Sequence, residues 1–161
     1  MITYPRLLRI FIGLIAALPA ASIACALHFG DSEYGEVKLA GASQAVMTTI
    51  FLEKNQRIQS LPSVSTTAAF QRASWWLRQM AKRLSDEGVD DIHIVLIDIP
   101  MWSKMDRAAP LGIDIDIEPP STYGTTYMLT QTGLNAIMSQ GFTLKQAREM
   151  GLIRIYQPVS N

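Results

Sequence analysis

The run Asp91-Ile92-His93-Ile94-Val95-Leu96-Ile97-Asp98-Ile99 constrains the fold more than any other part of the chain. Its centre is apolar at consecutive positions, so a strand here carries apolar side chains on both faces and can leave neither face in water. Such a strand belongs inside a sheet that is covered from both sides. Charge before the run and Pro100 after it set its length.

The cover has to come from helices elsewhere in the chain. Between Ala42 and Ile58 the residues Val46, Met47, Ile50, Phe51 and Ile58 fall at helical spacing. After the breaker-rich Leu61-Pro62-Ser63-Val64-Ser65, Thr66 or Thr67 can cap a helix that runs to Glu87 and stops at Gly88. Phe70, Ala73, Leu77, Met80, Ala81 and Leu84 make its buried stripe. Trp75 and Trp76 are neighbours about 100° apart on a helix, so only one can sit at the centre of that stripe.

Further strands are expected at Glu36-Val37-Lys38-Leu39, at Ile113 to Glu118, at Thr125 to Leu129 and at Leu152 to Tyr156. In the second of these, strict alternation puts Asp114, Asp116 and Glu118 on one face. Thr130 opens a short helix that closes at Gly141. Thr143 and Gln146 have the types and spacing of a capping box for a last helix ending at Gly151. With 161 residues, 48% hydrophobic and 17% charged, one core is expected. The fold class is α/β or α+β, a single layered domain of about five strands and three to four helices.

The amino-terminal stretch reads as an address. Arg6 and Arg9 precede an apolar run from Ile10 to Leu18, followed by Pro19-Ala20-Ala21-Ser22-Ile23-Ala24. These are the three parts of a secretory signal peptide. Residues 1–24 are therefore assigned to the signal and 25–161 to the domain, with a periplasmic or extracellular location. An uncleaved membrane anchor is the alternative, since the apolar stretch can be counted through to Phe29. Losing Arg6 and Arg9 from the 14 basic residues leaves 12 against 14 acidic ones. That balance offers no case for nucleic acid.

Cleavage after Ala24 leaves Cys25, the one cysteine of the chain, at the new terminus; Ala26 offers a second site. A lone cysteine forms no internal disulfide, and at this position it can carry a lipid, bind a metal or pair with another chain. Membrane association is expected only through the uncleaved signal or a lipidated Cys25. Cys25 and His28 are three residues apart, and a thiolate with an imidazole can clasp copper(I), the metal of the alternative reading.

Asp98 lies just beyond the carboxyl end of the apolar strand, where open α/β sheets place ligands, and Trp102 can supply an apolar wall. Neither a Gly-x-Ser-x-Gly turn nor a glycine-rich phosphate cradle is found. A hydrolase using Asp98 or the Asp114/Asp116 pair is the third reading.

The stretch from Thr125 to Tyr156 holds a strand, Leu134-Asn-Ala-Ile-Met-Ser-Gln-Gly141, Thr143-Leu-Lys-Gln-Ala-Arg-Glu-Met-Gly151 and a closing strand. It resembles the closing segment of sterol-carrier-type lipid-binding domains over about a fifth of the chain. The resemblance implies an apolar cavity lined by Leu134, Ile137, Met138 and Met150.

These observations favour an exported, non-enzymatic binding or accessory protein for an apolar ligand or an envelope protein partner. The contact region is expected around Trp76, Trp102, Asp98, Leu134, Ile137 and Met138, with no cofactor. Recovered from the envelope of its own host, the protein is expected to show an intact mass that begins at Cys25. The mass of the full 161-residue chain would overturn the cleaved-signal assignment.

Overall fold

The computed structural model describes residues 39–158 except Pro100 and Pro110. The expected strand at 36–39 therefore lies outside the described residues, apart from Leu39. So do Cys25, His28 and the leader.

Four helices and five strands follow in the order α1 (Ala42–Lys54), α2 (Thr66–Asp86), β1 (His93–Leu96), β2 (Met101–Met105), β3 (Ile113–Ile117), β4 (Thr126–Leu129), α3 (Gln131–Ser139), α4 (Leu144–Met150) and β5 (Arg154–Tyr156). The strands form one mixed sheet in the order β3-β2-β1-β4-β5. β1 and β4 are parallel, and the other pairings are antiparallel. The architecture is a single α+β domain.

β1 is central and apolar on both faces, as its sequence demands. Ile94 and Leu96 point into a core built with Trp76, Leu77, Met80 and Leu84 of α2 and Leu134 and Ile137 of α3. Val95 points the other way, into a smaller core with Ala45 of α1, Trp102 of β2 and Met128 of β4. The apolar run was expected to stay extended to Ile99, but β1 ends at Leu96, and Met101–Met105, to which no element was assigned, is a strand paired with β1. Its alternation sends Met101 and Met105 to the α2 side and Trp102 to the α1 side. Residues 97–99 turn the chain between the two strands, and pairing resumes at Met101.

Helix ends follow local chemistry. Ser65, rather than Thr66 or Thr67, caps α2 by accepting from the Ala68 amide. Thr130 caps α3 through the Gly133 amide at 3.0 Å. The α4 capping box forms in both directions: Thr143 Oγ1 accepts from the Gln146 amide at 3.1 Å, and Gln146 Oε1 accepts from the Thr143 amide at 2.9 Å. Gly151 ends α4 at φ 79°, and a Cβ there would meet the Arg154 guanidinium at 2.7 Å.

Three further sequence expectations are corrected. α1 buries Ala45, Thr49 and Leu52, while Met47 is 62%, Ile50 37% and Phe51 64% exposed. Its larger apolar residues thus face outward, because the inward side sits close to the sheet: a Cβ on Gly41 would lie 3.3 Å from Met128 Cε and 3.5 Å from Arg154 Cβ. In α2, Phe70 is exposed, and Trp76 takes its part in the buried stripe. In β3 the alternation breaks, since Asp116 adopts φ 62° and the register with β2 shifts. Asp114 and Ile117 therefore point to the same side, opposite Lys104 and Trp102, and the three carboxylates do not form one row.

The burial pattern separates structural from spare apolar residues. Leu77→Ala is expected to cost about 2–5 kcal/mol by leaving a cavity under α2. Met47→Ala should shift stability by less than about 0.5 kcal/mol. Urea denaturation of the two variants checks both values.

Candidate functional site

The residues singled out from sequence do not converge. Trp76, Leu134 and Ile137 are buried in the core on the α2 side, with Met138 packed against it. Trp102 is buried in the core on the opposite face. Asp98 sits in the turn after β1, and both of its carboxylate oxygens accept from the Gln131 amide at 3.0 Å. Gln131 is the first residue of α3, so Asp98 supplies a negative charge to that helix N-terminus beside the Thr130 cap. Although the residue keeps exposed area, its carboxyl is crowded by the surrounding chain. Loss of water pushes its pKa up, and hydrogen bonds from the amides of Gln131, Asp98 and Ile99 oppose the rise.

The α1 side of the sheet carries a feature that the sequence did not make visible. The register aligns Asp114, Lys104, His93, Thr126 and Tyr156 across the five strands. Residues directly opposite one another share a face, so these side chains form one row. Beside it Tyr123 stacks on Trp102 with ring centroids 5.3 Å apart. Tyr123 also meets the edge of Tyr156 at 6.3 Å, and His93 meets Trp102 edge-on at 6.4 Å. Strand alternation could have paired His93 with the row only if Met101–Met105 had been read as a strand.

His93 is half-buried in this row. Burial lowers its pKa, the Lys104 charge lowers it further, and Asp91 acts in the opposite sense. The imidazole is thereby held neutral in the native state at pH 7, one nitrogen free to accept a hydrogen bond. Lys104 lies 3.7 Å from Asp91, in a pair open to solvent on both sides, and such pairs add little to stability.

The outward side of α2 presents a different surface. Trp75 is 57% exposed. Its helical neighbours at three and four residues' distance include exposed Gln71, Arg78 and Gln79. The adjacent Trp76 is held in the core with the Arg72 guanidinium 5.5 Å above its ring, and Arg72 donates to the Pro62 carbonyl at 3.3 Å. The pair divides as 100° spacing requires, one ring in and one ring out. Sequence alone could not say which ring was outside, because either registers with part of the apolar stripe.

Among the described residues no group of three or more His, Cys, Asp or Glu side chains is arranged to hold a metal ion. Also among them, no helix is long and apolar enough to cross a membrane. Comparison of the chain with family models, with curated proteins and with solved structures returns no match.

The lowered pKa of His93 has a definite consequence for stability. As pH falls, the unfolded chain takes up this proton near the ordinary histidine value of about 6.5, before the native state does. Stability is therefore full above that value and is lost as pH falls through the lower native pKa. Urea midpoints should drop between about pH 7.5 and pH 5.5, and His93→Leu should flatten the drop. An equal drop in the wild type and the variant would show that His93 carries none of it.

Proposed function

We propose that this chain is an exported, non-enzymatic accessory protein that docks a partner protein through the outward side of α2. The observation that carries the reading is Trp75, a large aromatic ring left more than half exposed among Gln71, Arg78 and Gln79. Tryptophan and arginine dominate the residues that carry binding energy at protein interfaces, where a rigid aromatic anchor fills a pocket on the partner. An exposed indole on a well-packed helix gains nothing for the fold, because the core beneath α2 is already filled by Trp76, Leu77, Met80 and Leu84.

The same packing favours a partner protein over an enclosed apolar molecule. Leu134 and Ile137, the lining residues implied by the sterol-carrier resemblance, are fully buried against α2 and the sheet. A ligand held there would have to displace contacts that α2 and α3 already make. A protein docked on Trp75 displaces only water.

Trp75→Ala tests this reading without touching the core. Crosslinking in the native envelope, followed by affinity measurement with the purified partner, should show binding weakened at least about tenfold, with an unchanged urea midpoint. A complex that tolerates Trp75→Ala at full affinity would remove α2 as the docking side.

A further inference from the structure

Helix α1 carries apolar residues on its outer side as well as its inner one, which is the pattern of a helix covered on both sides. No charged residue occurs from Ala42 to Leu52. Its inner side packs Ala45 against Val95, Trp102 and Met128. Its outer side exposes Met47, Ile50 and Phe51, with the small polar pair Ser43 and Gln44 at its start and Lys54 at its end. Among the described residues none covers these outer apolar side chains, which leaves them to something else.

The chain that leads into α1 indicates what that is. The apolar stretch counted from Ile10 ends at Phe29, with nine residues between it and Leu39. Cys25, the alternative point of attachment through a lipid, has thirteen residues between it and the same position. At about 3.3 Å per residue, these links reach at most roughly 33 Å and 46 Å. Attachment at either place keeps α1, the first described helix, close to the bilayer. Within that radius the effective concentration of helix at the lipid surface is on the order of millimolar, so a small apolar face that would not bind from free solution can stay docked.

We propose that the outer face of α1 lies on the lipid surface to which the amino-terminal segment is attached, with Met47, Ile50 and Phe51 in the headgroup and acyl boundary. The inference rests on the alternatives to a freely released chain, an uncleaved leader or a lipidated Cys25, and is separate from partner docking at Trp75. A helix lying in the plane of the interface puts its apolar residues below the headgroups and its terminal cation among them. Lys54 occupies the last turn of α1 and is exposed. Glu53 precedes it and is half-buried, outside the exposed stripe.

The test uses the full chain as its host makes it, reconstituted in vesicles of phosphatidylglycerol and phosphatidylcholine with either plain or brominated acyl chains. In Phe51→Trp, the emission added by the new indole should fall by about half or more in brominated vesicles. The three native tryptophans serve as the reference, since Trp76 and Trp102 are buried and Trp75 lies on the other helix. Adding Met47→Glu to Phe51→Trp should abolish the extra quenching while the urea midpoint stays unchanged. Equal quenching in Phe51→Trp and wild type would overturn the proposal. So would a dimer that Met47→Glu separates, which would put a second copy on this face instead. Recovery of an unlipidated, cleaved chain in the supernatant would also overturn it, while leaving the Trp75 reading standing.

Discussion

The parallel pairing of β1 with β4 governs the rest of this structure. Parallel neighbours cannot be joined by a tight turn, and here β2 and β3 come between them in sequence. The chain leaves β1 by two antiparallel pairings that carry it to the edge of the sheet. It must then return across β2 and β1 to start β4 in the same direction as β3. Residues 118–125 make that return without a helix. Tyr123, lying on Trp102 and against Tyr156, shows that they cross the α1 side. An extended segment and a helix therefore share the cover of that face, and the aromatic rings fill the seam between them.

This division explains why α1 sits so close to the sheet. A helix that covered the whole face would need large inward residues, whereas α1 packs closely on β4 and β5 and presents Ala45 and Thr49 inward. Thr49 Oγ1 meets Thr130 Oγ1 at 3.0 Å, at the end of β4 where the cap of α3 begins. Leu52 and Ile58 then join the larger core on the opposite side. The helix thus links the two cores around the end of one strand. Met47, Ile50 and Phe51 face away because the space beneath them is already occupied.

Elements written in local chemistry were legible in the sequence. The capping box at Thr143 and Gln146, the Thr130 cap, the glycine stop at Gly151 and the doubly apolar β1 all depend on residues within a few positions of one another. What long-range packing decides was not legible. Met101–Met105 mixes one buried serine with two methionines, a tryptophan and a lysine, and only pairing with β1 makes it a strand. Which side of α1 faces the sheet, and which of Trp75 and Trp76 is inside, depends on how near a helix comes to its neighbours. Periodicity carries no measure of that distance. The bulge at Asp116 was hidden for a related reason, since perfect alternation in sequence says nothing of a residue with positive φ.

The two exposed apolar surfaces differ in chemistry, and the difference bears on what each can meet. Trp75 stands among glutamines and an arginine, able to satisfy hydrogen bonds at the rim of a protein interface. On α1 the exposed polar residues Ser43, Gln44 and Lys54 lie at the two ends, and Met47, Ile50 and Phe51 between them offer no hydrogen bonds. Such a surface is suited to a partner that needs none. α1 and α2 cover opposite faces of one sheet. A domain resting on lipid through α1 would turn the outer side of α2 away from the bilayer, where a partner could approach it. Both proposals then follow from one constraint: a central strand apolar on both faces requires cover on both, and the outer sides of the two covering helices point in opposite directions.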